Sequence, residues 1–542
     1  MRRPLRHGMI LLVVLVVIAL CSLAALTFSS LMTAEREAVD AAVRKVQARA
    51  LADSGLEMAR MFVGLTPADQ ISAGGTYDNT GRFRGVLVAD GKAAHNRGRF
   101  AIVAPRVEDG IYQGIRFGLE DESTKLNLNI LAALDQKLPG CGRQILSGLP
   151  GMTDDVADAI LDWIDQDDEP REFGAELEYY ANCNPPYAPA NGPLCTVEDL
   201  LLVRGVTPAL LFGVDANRNG MADQGETSLQ GGLGVDSSDR SMDRGWAAYV
   251  TLYSMESNFQ PDGVTPRINL NQSDMEKLYT DLTAVLPEQW ATFIVAYKQN
   301  GPYTEPGGAA GGAAGGAAGG AAGGAGSPAA KQPSGTSGGS TTGQLDLTQQ
   351  GKQNITQVIE LLGQRVRVQF QGASQPTVLE CPFPYDPNTP SMVDAYLPDL
   401  LDYVTASPNK LIAGRININQ APRVVLQGIP GMTQDILDQI LTQREPDPAR
   451  RDPAQRYETW ILSKGIVTLD QLKLLCPFIT GGGCIYRAQA VGYYDGEGPS
   501  ARIEAIIHAG TQPPRVIFWR DMSHLGRGYS REFLGAETLV GE

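Results

Sequence analysis

The chain has 542 residues, enough for roughly two or three packed cores, with 43% hydrophobic residues, a formal charge of −16 and a pI near 4.9. That acidic balance argues against phosphate-backbone binding, which calls for a basic surface. The four His, at positions 7, 95, 508 and 524, form no HExxH or other close pair. No G-x-S-x-G elbow, P-loop or strand-linked G-x-G-x-x-G is present either, so the sequence carries no recognisable catalytic machinery and is read as a non-enzyme.

In chain order, a basic leader ending in Gly8 precedes about twenty uncharged residues, long enough to cross a bilayer. No A-x-A cleavage site follows, so the chemically sensible cut falls between Gly8 and Met9 and keeps the apolar helix. Beyond it, Leu31, Ala34, Ala38, Ala42, Val46, Ala50, Leu51, Met58 and Phe62 recur at three-to-four spacing among charged residues. The pattern predicts one helix of roughly 50 residues, about 75 Å long at 1.5 Å per residue, with a membrane half and an amphipathic half.

Strand-like alternation follows in RFAIVAPRV and IRFGLEDES, and again after the middle of the chain in VRVQF, CIYRAQAVGYY, ARIEAIIHA and RVIFW. Between these lies a helical region with an internal repeat. LSGLPGMTDDVADAILDWID from Leu146 to Asp165 aligns without gaps to LQGIPGMTQDILDQILTQRE from Leu426 to Glu445. Each copy follows a polar-apolar signature, LNLN at Leu126 to Asn129 and ININ at Ile416 to Asn419. A third signature, INLN at Ile268 to Asn271, leads into its own helical stretch. These read as SAM-like or helix-hairpin-helix units with PGMT as the turn. A DNA-binding hairpin would use a second glycine where Thr153 and Thr433 stand, and Asp154, Asp155 and Asp435 would repel phosphate, so scaffolding or protein contact is the better reading. A Gly/Ala/Ser-rich stretch over 305–343 cannot bury enough apolar surface to offset its ordering entropy, and is read as a linker separating two folded parts.

Asp215 to Glu226, DANRNGMADQGE, has the spacing of an EF-hand calcium loop. Asp215, Asn217, Asn219, Asp223 and Glu226 would offer side-chain oxygens and Met221 its carbonyl, while Gly220 makes the sharp turn. Ca²⁺ is therefore the expected cofactor; the alternative is an Asx-rich surface loop. Asp165 with Glu176 imitates an acid–base pair, but such carboxylates are more simply metal ligands or surface. Of the seven Cys, Cys21 lies in the apolar run, and the remaining six permit disulfides. Cys183 with Cys195, and Cys476 with Cys484, close short loops and are the preferred pairs; buried free thiols are the alternative.

The Gly8 leader and its retained helix resemble the type IV pilin and type II secretion pseudopilin class. Most members place a Glu at the fifth mature position to pair with a neighbour's amine; here that position is Val13, which suits a filament end. DESTKLNLN, DWIDQDDEPREFGAELEYY, NPPYAPANGPLCTVEDLLLVRGVTPALLFG, ININQAPRVVL and RVIFWR resemble the strings of the general secretion pathway protein K family, the largest minor pseudopilin.

That resemblance implies an α+β fold with a pilin-like long N-terminal helix and antiparallel sheet, interrupted by a large mostly helical insert. It implies a place at the pseudopilus tip with minor pseudopilins I and J, processing by prepilin peptidase, and contact with the secretin or exported proteins. It also implies inner-membrane anchoring with a large periplasmic domain. The expected divisions are leader 1–8, long helix 9–62, first sheet part 63–125, insert with calcium loop 126–304, linker 305–343, second SAM-like region 344–475 and C-terminal pilin strands 476–542. The alternatives are a membrane-tethered helix-hairpin-helix DNA-binding module and a minor pilin of a related type IV pilus.

Overall fold

The computed structural model describes residues 7–221, 226, 244–304 and 344–536. A single helix runs from His7 to Val63, as the unbroken three-to-four pattern requires. Its apolar window from Ile10 onward has a mean hydropathy of 3.1 and none of it is covered by the rest of the chain. The rest of the chain first touches the helix at Arg44 and Gln47, and full burial begins at Ala48, after which Leu51, Ala52, Leu56, Ala59, Phe62 and Val63 are buried against an antiparallel sheet. Small residues on that face let the backbones meet. A Cβ on Gly492 would lie 2.1 Å from the Ala48 carbonyl oxygen, so the central strand approaches the helix only because it lacks one.

The sheet is assembled from both ends of the chain. Its order is Val86–Ala89, Gly98–Glu108, Ile485–Tyr494, Ala501–His508, Arg515–Asp521. The strand Ile111–Phe117 forms a hairpin with Gly98–Glu108, and Glu120–Asp121 pairs with Tyr486 and Arg487. Val103 lies opposite Gln489, which joins the two halves. The strand VRVQF does not belong here. Val366–Val368 pairs with Thr377–Leu379 inside the insert, where Val366 and Val368 face the helix Glu288–Asn300.

Among the described residues the insert carries three copies of one device. Each signature forms a two-residue strand paired in parallel with a later [YF]-[VI]-T segment: Leu126–Asn127 with Val250–Thr251, Ile268–Asn269 with Val404–Thr405, and Ile416–Asn417 with Ile479–Thr480. In each, the first Asn accepts the backbone N–H of the second, at 3.1 Å for Asn127, 2.9 Å for Asn269 and 2.9 Å for Asn417. The second Asn then clips a distant loop through its side-chain amide. Asn129 donates to the Leu194 carbonyl at 3.1 Å, Asn271 to that of Ile355 at 2.7 Å, and Asn419 to that of Gly481 at 2.9 Å. An amide oxygen and NH₂ together satisfy both polarities of a passing backbone, which explains why Asn recurs.

Two corrections to the sequence expectations follow. The 305–343 stretch does not separate two folded parts, because Lys298 and Asn271 before it bond to Gln353 and Ile355 after it, and one apolar core runs from Leu126 to Ile479. The third device ends at Thr480, so the C-terminal pilin strands begin at Ile485, a few residues beyond the expected boundary at 476.

The two aligned hairpins, Cys141–Leu146 with Asp154–Ile164 and Arg423–Gln427 with Gln434–Gln443, pack on one another through equivalent glycines. A Cβ on Gly148 would lie 2.9 Å from the Gly428 Cα, and one on Gly428 would lie 2.4 Å from the Ile145 carbonyl oxygen. Gln427 completes the contact by donating to the Gly148 carbonyl at 2.7 Å.

Candidate calcium loop and its joint with the sheet

The loop begins after the short helix Pro208–Phe212, whose first turn is capped by Thr207 accepting the Leu210 N–H at 3.2 Å. Asp215 then organises the turn: Oδ1 accepts the Asn219 N–H at 3.0 Å and Oδ2 the Gly220 N–H at 2.7 Å. Asn217 Oδ1 also accepts from Asn219 N–H at 2.9 Å, and Asn219 Oδ1 accepts the Met221 N–H at 2.7 Å. Gly220 has a φ of +75°, the left-handed conformation that the sixth loop position needs. Glu226 closes the loop, its Oε1 lying 3.3 Å from the Asn217 nitrogen.

Asp215, Asn217, Asn219 and Glu226 are thus brought together, and Asp215, Asn219 and Glu226 are buried. Met221 sits at the exposed edge, and Asp223 lies outside the described residues. Two carboxylates and two amides, all hard oxygen donors, fit Ca²⁺ in kind. Among the described residues no three Asp, Glu, His or Cys side chains form a cation-sized group, so the amides are a necessary part of this set.

The loop abuts the sheet across a cavity of about 120 Å³, lined by Glu198, Phe212 and Asn219 on one side and Gln489, Phe518 and Tyr529 on the other. A ladder of buried and half-buried charges crosses the same joint. Lys125 bonds Glu120 at 2.8 Å, Arg487 bonds Glu122 at 2.6 Å and Glu504 at 2.9 Å, and Arg520 bonds Glu504 at 2.9 Å and Glu198 at 2.7 Å. Burial works against the charge on Glu122, but Arg487 and Lys125 outweigh it and hold the carboxyl at about 2. Glu504 is likewise held at about 2, burial being overcome by Arg487 and Arg520. These groups come from the segment Glu120 to Lys125, the turn Val197–Leu202 and three separate strands, and nothing in their spacing announced that they meet.

A second acidic group lies in the same first third of the insert. Arg171 bonds Asp162 at 2.7 Å and Asp165 at 2.5 Å, while Arg143 bonds Asp158 at 2.6 Å. Glu176 is buried beside them with no hydrogen bond to either carboxylate oxygen. Burial, reinforced by Asp162, Asp165, Asp168 and Asp167, pushes its carboxyl up to about 7.

Neither expected disulfide is formed: all seven cysteines are free thiols. Cys183 Sγ lies 3.7 Å from the Tyr179 carbonyl oxygen, and Cys195 is exposed. Cys476 packs beside Glu458 and Arg415, and Cys484 beside Asp121, with burial pushing both thiols well up. Gly8 and Met9 fall in the first turns of the long helix.

Residues 124–213, which hold the first signature, the first hairpin and the acidic group, match the family described as Type II secretion system (T2SS), protein K, through its first domain. A putative type II secretion system protein K of Escherichia coli (strain K12) is 35% identical over 112 residues. Over this first domain the chain is similar to protein K of type II secretion systems. The alignment with that relative takes in 19% of this chain and 34% of the relative, so the chain spans about a third of that protein's length. A crystal structure of the GspK-GspI-GspJ complex from the enterotoxigenic Escherichia coli Type 2 Secretion System covers 90% of this chain and 98% of its own, at 11% identity and a TM-score of 0.32.

Proposed function

We propose that this chain is a protein K family member and a minor pseudopilin at the tip of a type II secretion pseudopilus, where it initiates or caps the filament and assists protein export across the outer membrane. The observation that carries this reading is the juxtaposition of a matched protein K domain at 124–213 with a long helix left bare over its first half. A helix that finds full cover only from Ala48 onward has an apolar length to bury in a bilayer and a further exposed stretch to pack against neighbouring helices. Minor pseudopilins I and J are its partners in this reading, prepilin peptidase removes the leader after Gly8, and the inner membrane holds the helix while the sheet and insert stand in the periplasm. The bulk of the insert stops further subunits from adding above it and offers a surface to the secretin or to exported proteins. Its role is structural, without catalysis, and the Asp215 loop takes Ca²⁺, with Asp215, Asn217, Asn219 and Glu226 holding the ion and supplying rigidity.

The test is the N-terminal sequence of the protein recovered from membranes. It should begin at Met9. An intact leader, or a cut beyond Leu26 that discards the apolar helix, would remove the basis of the proposal.

A further inference from the structure

The calcium loop does not stand alone, because two of its backbone carbonyls end on the sheet. Arg218 has a φ of +54°, and its carbonyl oxygen accepts from Arg502 Nη2 at 2.5 Å. The next carbonyl, of Asn219, lies 2.9 Å from the Tyr529 hydroxyl, which also lies 2.7 Å from Gln489 Oε1. The Asn219 side chain is held from the same quarter: its Nδ2 donates to the Gly528 carbonyl at 2.8 Å. Engaging the nitrogen there leaves Oδ1 as the end of that amide turned to the loop, where it accepts the Met221 N–H at 2.7 Å. Arg502 and Asn219 are almost wholly buried at this joint, and Tyr529 is buried beside them. The approach is close enough that a Cβ on Gly528 would lie 2.7 Å from Arg502 Nη1.

We infer that Tyr529 and Arg502, carried by the sheet and the segment after it, are positioning residues for the cation loop, so that cation binding and docking of the insert on the sheet are one linked equilibrium. The inference rests on the calcium reading of the Asp215 loop. Its physical basis is that a loop whose oxygens are already oriented loses less freedom on binding an ion. Whatever the sheet does to orient Asn219 strengthens the ion, and by reciprocity the ion strengthens the hold of the loop on Gly528 and Tyr529. A merely space-filling contact would show no such reciprocity.

The experiment uses the full chain in detergent, with Ca²⁺ as the probe, followed by titration calorimetry and amide hydrogen exchange. Tyr529→Phe removes only the hydroxyl. Tyr493→Phe is the matched control, because Tyr493 is also buried in the sheet and donates its hydroxyl to a carbonyl, that of Leu534 at 2.8 Å, away from the loop. Tyr529→Phe should weaken Ca²⁺ binding about five- to tenfold, in line with the loss of one buried hydrogen bond, while Tyr493→Phe leaves it unchanged. In the unaltered protein, saturating Ca²⁺ should slow exchange of the amides around Gly528, and this second readout stands even if the variant folds poorly. Equal affinities for the two variants with no change in exchange at Gly528 would overturn the inference while leaving the calcium loop intact. Failure of the unaltered protein to bind Ca²⁺ would overturn the calcium reading and the inference with it.

Discussion

Replacing Arg487 by Met should destabilise the fold by about 3 to 5 kcal/mol at neutral pH, the usual cost of removing one partner from a buried ion pair. The structure sets both the size and the pH dependence of the effect. Arg487 bonds Glu122, whose side chain is fully buried, at 2.6 Å and Glu504 at 2.9 Å. Both carboxyls are held at about 2, against an ordinary value of 4.5, which bounds each contribution near ~3 kcal/mol. The two are coupled through one guanidinium and do not add. Lys125, 3.7 Å from Glu122, and Arg520, 2.9 Å from Glu504, remain as partial substitutes and favour the lower end of the range.

A depressed carboxyl pKa contributes stability that is complete above about 4.5 and is lost as pH falls toward about 2. The difference between the two proteins should therefore be largest at pH 7 and shrink steadily below pH 4.5. Urea unfolding of the detergent-solubilised chain, followed by tryptophan fluorescence from pH 7 down to 3, measures it. Coincident midpoints at pH 7, or a gap that stays constant down to pH 3, would refute the reasoning.

Gly428→Ala should lower stability by about 1 to 3 kcal/mol, because its Cβ would meet the Ile145 carbonyl at 2.4 Å where the hairpins touch; Gly482→Ala, with open space at its Cβ, should leave the melting temperature unchanged. Glu176, raised to about 7, binds its proton more tightly in the folded protein than in the unfolded one, so in the absence of Ca²⁺ stability should fall as pH rises from about 4.5 through 7. Glu176→Gln should flatten that part of the pH–melting curve and melt higher at pH 8.

The parts of the fold that were legible in the sequence are those with many local repeats of one signal. The His7–Val63 helix could be read because apolar positions recur over its whole length and nothing interrupts them. The strands Gly98–Glu108, Ile485–Tyr494 and Ala501–His508 could be read from alternation, and the Asp215 loop from oxygen spacing that is itself local. The signatures at Leu126, Ile268 and Ile416 were visible, but their partners were not. YVT at Tyr249 and Tyr403 and FIT at Phe478 supply strands of only two residues, too short for any periodicity, although their recurrence was there to be found. Composition marked 305–343 as a linker, but composition carries nothing about what its flanks touch, and the flanks share one core. The joint between Asn219 and Tyr529 escaped for the same reason, since it depends on chain closure and not on local pattern.

The most direct test of the central claim is whether the full chain, solubilised from membranes, forms a complex with minor pseudopilins I and J. The account predicts that the three proteins co-purify as one ternary species. Recovery of the chain without either partner, all three being folded, would contradict it.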